Sequence, residues 1–90
     1  MQDVVAQLDS IAYELRRADR KTAASSRETI TRLFEDILIT MSDPDHLAQA
    51  QGAHVLCSLY LSDLAERSRP SGLNVALASV QRLRVELGRR

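Results

Sequence analysis

His54 and Cys57 stand three residues apart in the stretch AQAQGAHVLCSLYLSDLA, Ala48 to Ala65. On a helix that spacing puts both on one face. A thiol beside an imidazole can act as nucleophile and base, or supply half of a zinc site. The zinc reading lacks its third and fourth ligands, because His46 lies two turns away and there is no second cysteine. Ser58, His54 and Asp63 contain the atoms of a hydrolytic triad. Such a triad also needs a strained elbow or loop-borne oxyanion donors, and a continuous helix offers neither. Glu35-Asp36 reads as a solvated acidic pair. No P-loop, H-E-x-x-H or C-x-x-C motif occurs. The expectation is a small buried thiol beside an imidazole at the edge of the apolar face, with no catalytic residue, no cofactor and no metal.

The other chemistry-bearing group is basic. Arg16, Arg17, Arg20, Lys21 and Arg27 crowd one segment. Nucleic-acid binding calls for aromatic or polar readers among such residues, and only Tyr13 is near. A solvated helix end accounts for the patch more simply. The tail residues Arg82, Arg84, Arg89 and Arg90 read the same way. Tyr13, an aromatic beside arginines, is also a candidate interface anchor.

Composition narrows the classes further. Ninety residues make one domain with a modest core. Twelve basic and 12 acidic residues cancel, so there is no basic excess for nucleic acid. The charge is segmented: six acids and no Lys or Arg lie between Glu35 and Glu66, and six Arg with one acid follow from Arg67 to Arg90. All but one of the basic residues are Arg, a usage typical of GC-rich bacterial genomes. The single cysteine excludes an internal disulfide and fits a reducing cytoplasm. The opening MQDVVAQLDS lacks the pattern of a secretory leader. No apolar run approaches a membrane span.

The elements that must position these residues read as helices throughout. Val4, Leu8, Ile11, Leu15 and Ala18 step by four and three, predicting a first helix over 3–20. Ser25 followed by Glu28 reads as a capping box for a second helix over 26–41. One long helix running through Thr22 to Ser26 is the alternative, since no Gly or Pro interrupts it. The second helix carries Ile30, Leu33, Phe34, Ile37, Leu38 and Met41 on a broad face and leaves Ile39 on the far side. Ser42-Asp43-Pro44-Asp45 is a strong start signal for a third helix over 44–68. Pro70 breaks it. Ser71 is expected to cap a fourth helix over 71–87, whose seam is Leu73, Ala76, Val80, Leu83 and Leu87.

The third helix is the most apolar. Wound at 100° per residue, its apolar residues cover roughly 240° of arc, against the ~100° or somewhat more that a surface helix needs. It carries no charge between His46 and Asp63. Leu56 falls near the middle of the arc and is expected in the core. Ala48, Ala50, Gly52 and Ala53 would let another backbone come close. Ile39, Val75 and Val85 lie off their own helices' stripes.

These features predict an all-α fold, a small antiparallel bundle of three to four helices. Its apolar surface exceeds what a monomer of this size hides, which predicts a homodimer through the third helix or the fourth-helix seam. The interface candidates are Tyr13, Ile39, Leu59, Tyr60, Leu73, Val80, Leu83 and Leu87. The expected function is a non-catalytic, cytoplasmic protein-binding module: an adaptor, chaperone-like factor or regulator whose partner is another protein. The alternative is a dimeric nucleic-acid-binding regulator using the Arg16–Arg27 patch.

Overall fold

A computed structural model describes residues 3–67 and 70–88. It contains four helices, α1 (Val4–Arg17), α2 (Ala23–Thr40), α3 (Pro44–Glu66) and α4 (Leu73–Gly88), and no strand among the described residues. The fold is all-α. Packing follows chain order, α1 on α2, α2 on α3 and α3 on α4, and closes with α4 against α1.

α1 starts as the sequence directs. The Asp3 carboxylate accepts the Val5 N–H at 3.2 Å, satisfying one of the orphan donors of the first turn. The helix ends at Arg17, not at Arg20. The reason is a local competitor. Asp19 Oδ1 accepts the N–H groups of Lys21 and Thr22, both at 2.9 Å, and the Asp19 N–H donates to the Thr22 hydroxyl at 3.0 Å. Such short-range side-chain bonds offer the backbone an alternative to the helical ladder. They split α1 from α2 without Gly or Pro, so the single long helix does not form.

α2 then starts at Ala23 with Thr22 as its N-cap residue, and no side chain caps it. Ser25 lies inside the helix, so the expected capping box with Glu28 does not form. Glu28 instead pairs with Arg32 one turn on, at 2.7 Å. α3 opens as expected, with Asp43 Oδ1 accepting from the Asp45 and His46 N–H groups and Pro44 at the first position. Its described end is Glu66, with Arg67 as the capping residue. The expected end at Ser68 lies outside the described residues, as do Arg89 and Arg90.

α4 begins at Leu73 rather than Ser71. The Gly72 carbonyl accepts the Ala76 N–H at 2.9 Å. Gly72 has φ +97°, a conformation that side-chain-bearing residues rarely adopt. Ser71 does not cap this helix. It is tied back to α3: Asp63 Oδ2 accepts the Ser71 N–H at 2.7 Å and its hydroxyl at 3.4 Å. Asp63 Oδ1 also holds Arg67 Nε at 2.8 Å. One carboxylate thus fixes both sides of the α3–α4 connection.

All four helices contribute to one core. Leu8, Ile11 and Leu15 of α1 meet Ile30, Phe34 and Ile37 of α2, Ala53, Cys57, Leu61 and Leu64 of α3, and Ala76, Val80 and Leu83 of α4. Each large side chain so buried contributes about 1.5–3 kcal/mol. Arg84 of α4 reaches Asp9 of α1 with two nitrogens, at 2.6 and 3.4 Å, bracing the closing contact. No helix is long and apolar enough to cross a membrane among the described residues.

Candidate functional site

Two of the groups that could carry chemistry, Cys57 and His54, are packed against the core. Cys57 is fully buried, and burial pushes its thiol pKa up to about 12. A thiol held protonated is a poor nucleophile and a poor metal ligand. His54 is half-buried. Its ring stacks on Phe34 with centroids 5.1 Å apart and planes inclined by 23°, and the Thr31 hydroxyl lies 3.5 Å from Nε2. Asp63 is taken up by Arg67 and Ser71, as described above. Glu35 and Asp36 are exposed. Among the described residues, no three His, Cys, Asp or Glu side chains come together as a metal site would require.

The basic patch is exposed at every position, Arg16, Arg17, Arg20, Lys21 and Arg27. Acids are mixed into it. Arg17 Nε lies 3.8 Å from Glu14 Oε2, and the Arg17 guanidinium sits 5.8 Å above the Tyr13 ring. Glu14 Oε2 also accepts the hydroxyl of buried Ser26 at 3.3 Å. Asp19 falls between the arginines, its carboxyl held below the ordinary range first by the Thr22 N–H, then by the Thr22 hydroxyl.

The interface candidates divide. Val80 and Leu83 are fully buried in the chain's own core, and Tyr60 nearly so. Leu73 and Leu87 are half-buried against that core. The fourth-helix seam therefore points inward, because α1 and α3 both pack on α4 and consume it. Burial also pushes the Tyr60 hydroxyl pKa up. Tyr13, Ile39 and Leu59 stay on the surface, Ile39 most of all at 81% exposure.

Leu59 has company that Ile39 lacks. An apolar groove runs along the junction of α3 and α4. One half is lined by Gln49, Gly52, Ala53, Leu56, Val75, Ala78, Ser79 and Arg82. The other continues past Leu59 and Tyr60 to Asp63, Arg67 and Gly72. Leu56 and Val75 belong to both halves, so the groove is continuous. Leu56, expected in the core, is only half-buried. Its place at the centre of the apolar arc turns it toward this groove, because α2 and α4 flank α3 and leave the third side open. Gly52 admits no close approach within the chain: a Cβ added there would meet nothing within 4 Å. Val75 of this groove is 56% exposed, as is Val55, one turn before Leu59 on α3.

Val55 is not among the interface candidates read from the sequence, although its four-residue spacing from Leu59 in an uncharged strip puts it on the same helix face. The charge-free span from His46 to Asp63 thus has a partly unfilled side. Compared with family models, curated proteins and solved structures, the chain matches none.

Proposed function

We propose that this chain is a non-catalytic protein-binding module, an adaptor, chaperone-like factor or regulator, and that the α3–α4 groove is its binding face. In this reading the four helices form a small antiparallel bundle whose role is to present that groove. The observation that carries it is the continuity of exposed apolar surface over Leu56, Leu59 and Val75, with no charge on α3 between its first turn and Asp63. Contiguous apolar surface of this kind marks interaction sites. A cytoplasmic setting suits the single buried thiol. The nucleic-acid alternative has less support, since Glu14 and Asp19 dilute the field of the basic patch.

The test is a photo-crosslinking residue placed at Leu59 in cells, with Glu35 as the control position. The expected result is one or a few discrete protein adducts at Leu59 and none at Glu35. Absence of any adduct at Leu59, or the same smear at both positions, would overturn the reading.

A further inference from the structure

We propose that the α1–α2 connection is a latched hinge. When the latch opens, α1 and α2 merge into one helix over 4–40, and α1 is exchanged with the α1 of a second copy of this chain.

The three connections differ in what they permit. Between α2 and α3, Asp43 is extended, at φ −76° and ψ 122°, as the residue before a proline prefers. Between α3 and α4, Pro70 breaks any helix, and Gly72 sits at φ +97°. The connection over 18–22 has no such barrier. Ala18, Asp19, Arg20, Lys21 and Thr22 include no Gly or Pro, and none has a positive φ. Thr22 is already in the right-handed helical region, and Ala23 and Ala24 favour helix strongly. What interrupts the helix is a set of side-chain bonds. Asp19 Oδ1 accepts the N–H groups of Lys21 and Thr22 and, at 3.1 Å, the Thr22 hydroxyl. All three bonds are exposed, so water competes for each. Without them the backbone of this segment returns to the helical ladder.

The second copy follows from the core. A lone chain that straightened would bare Leu8, Ile11 and Leu15, all fully buried. It would also leave a slot between α2 and α4, the two helices on which α1 packs. The shape that fits this slot is α1 itself, and a second straightened chain supplies one. The Asp9–Arg84 and Glu14–Ser26 bonds are then remade between the copies. Only the connection changes, as in any exchange of an identical element.

Charge sets the balance. In the exchanged pair the two long helices lie antiparallel, with their hinges side by side. That brings together two sets of Arg16, Arg17, Arg20, Lys21 and Arg27, with only Glu14, Asp19 and Glu28 among them. This repulsion and the Asp19 latch both favour the bent chain. Salt screens the first.

The test is Asp19→Ala with Thr22→Ala, held at about 200 µM in about 0.5 M salt and sized by gel filtration with light scattering. The expected species has twice the 10.0 kDa of the chain. Its dissociation constant should lie roughly tenfold below the wild type's. Spin labels on Ser10→Cys and Thr29→Cys identify the exchange, since native Cys57 is buried. Both label positions are exposed and line the same furrow between α1 and α2, so the bent chain gives a short distance. With labelled chains diluted in unlabelled ones, the straightened chain gives roughly 28 Å at about 1.5 Å per residue. Arg20→Pro in the same background should restore the monomer, because proline suits the first position after Asp19 and not the inside of a helix. A double variant that stays at 10.0 kDa would overturn the hinge. A dimer that keeps the short distance would do the same, since two bent chains would then be meeting face to face. A dimer that survives Arg20→Pro would overturn it as well. Asp19→Ala alone, read in the same way, decides the matter if the double variant fails to fold.

Discussion

Tyr13 and Leu59 are almost equally exposed, at 62% and 63%, yet they occupy surfaces of opposite kinds. Tyr13 lies in the α1–α2 furrow among Asp9, Ser10, Glu14 and Thr29, with Leu33 the one aliphatic beside it. Arg17 covers its ring and leans on Glu14. Leu59 lies among Leu56, Tyr60 and Val75, with the paired Asp63 and Arg67 one and two turns on in the same half of the groove. Fractional exposure alone does not tell these two apart, and single exposed apolar residues are ordinary. The neighbours do. An aromatic ring set among charges already has its partners and its water. An aliphatic side chain set among other aliphatics has neither.

The contrast can be broken most sharply by making one substitution on both sides of it. Leu15 of α1 is fully buried beneath the Tyr13 side, and Leu56 only half-buried in the groove. Leu15→Ala should cost about 2–5 kcal/mol and Leu56→Ala less than about 2. Urea unfolding monitored by circular dichroism gives both values. Equal losses would mean that the groove is as well packed as the core.

A smaller effect comes from the two carboxylates that hold the connections at either end of the comparison. Asp63→Ala removes the acceptor for the Ser71 N–H and the partner of Arg67, which should cost about 1–2 kcal/mol. Asp19→Ala should lower the melting temperature less, because Asp19 is exposed. Its pH dependence has a definite sign. The folded chain holds this carboxyl below its ordinary 3.8. Its contribution is therefore present above that pH and is lost as the pH falls through the lower, folded value. The gap between wild type and Asp19→Ala should narrow on acidification below 3.8, and a gap that widens would contradict the turn geometry.

The smallest effect belongs to the charged side. Replacing Arg16, Arg17 and Arg20 together by Gln should move the melting temperature by no more than about 2 °C, since exposed charges contribute little to stability. A larger drop would give the Tyr13 surface a structural role that its solvated charges do not suggest.

Much of this arrangement is legible in the sequence. The spacing of Leu8, Ile11 and Leu15 marks one buried stripe, and Asp43-Pro44 marks the start of α3, because both signals are local. Three readings failed where a longer-range partner intervened. Ser71 looks like a cap in sequence, but a carboxylate eight residues earlier claims its N–H. Ser25 and Glu28 look like a capping box, but Asp19 and Thr22 set the helix start three residues sooner. Val80 and Leu83 form a seam that winding alone cannot assign to the inside or the outside. That assignment depends on α1 folding back onto α4. The same limit applies to Leu56. Helical winding gives the width of an apolar arc, and only the placement of neighbours shows which part stays open.

The burial of Cys57 makes the protein its own clock. Its one thiol is sealed in the core and held protonated at ordinary pH, so a modifying reagent can reach it only while the helices around it are apart. The rate of labelling in native buffer then counts opening events rather than surface encounters. If α3 separates from α2 alone, labelling should run faster than global unfolding predicts. If the four helices part as a unit, the two free energies should coincide. The silent native thiol also leaves every other position free for an introduced cysteine, whose label in the folded chain would report on that position alone.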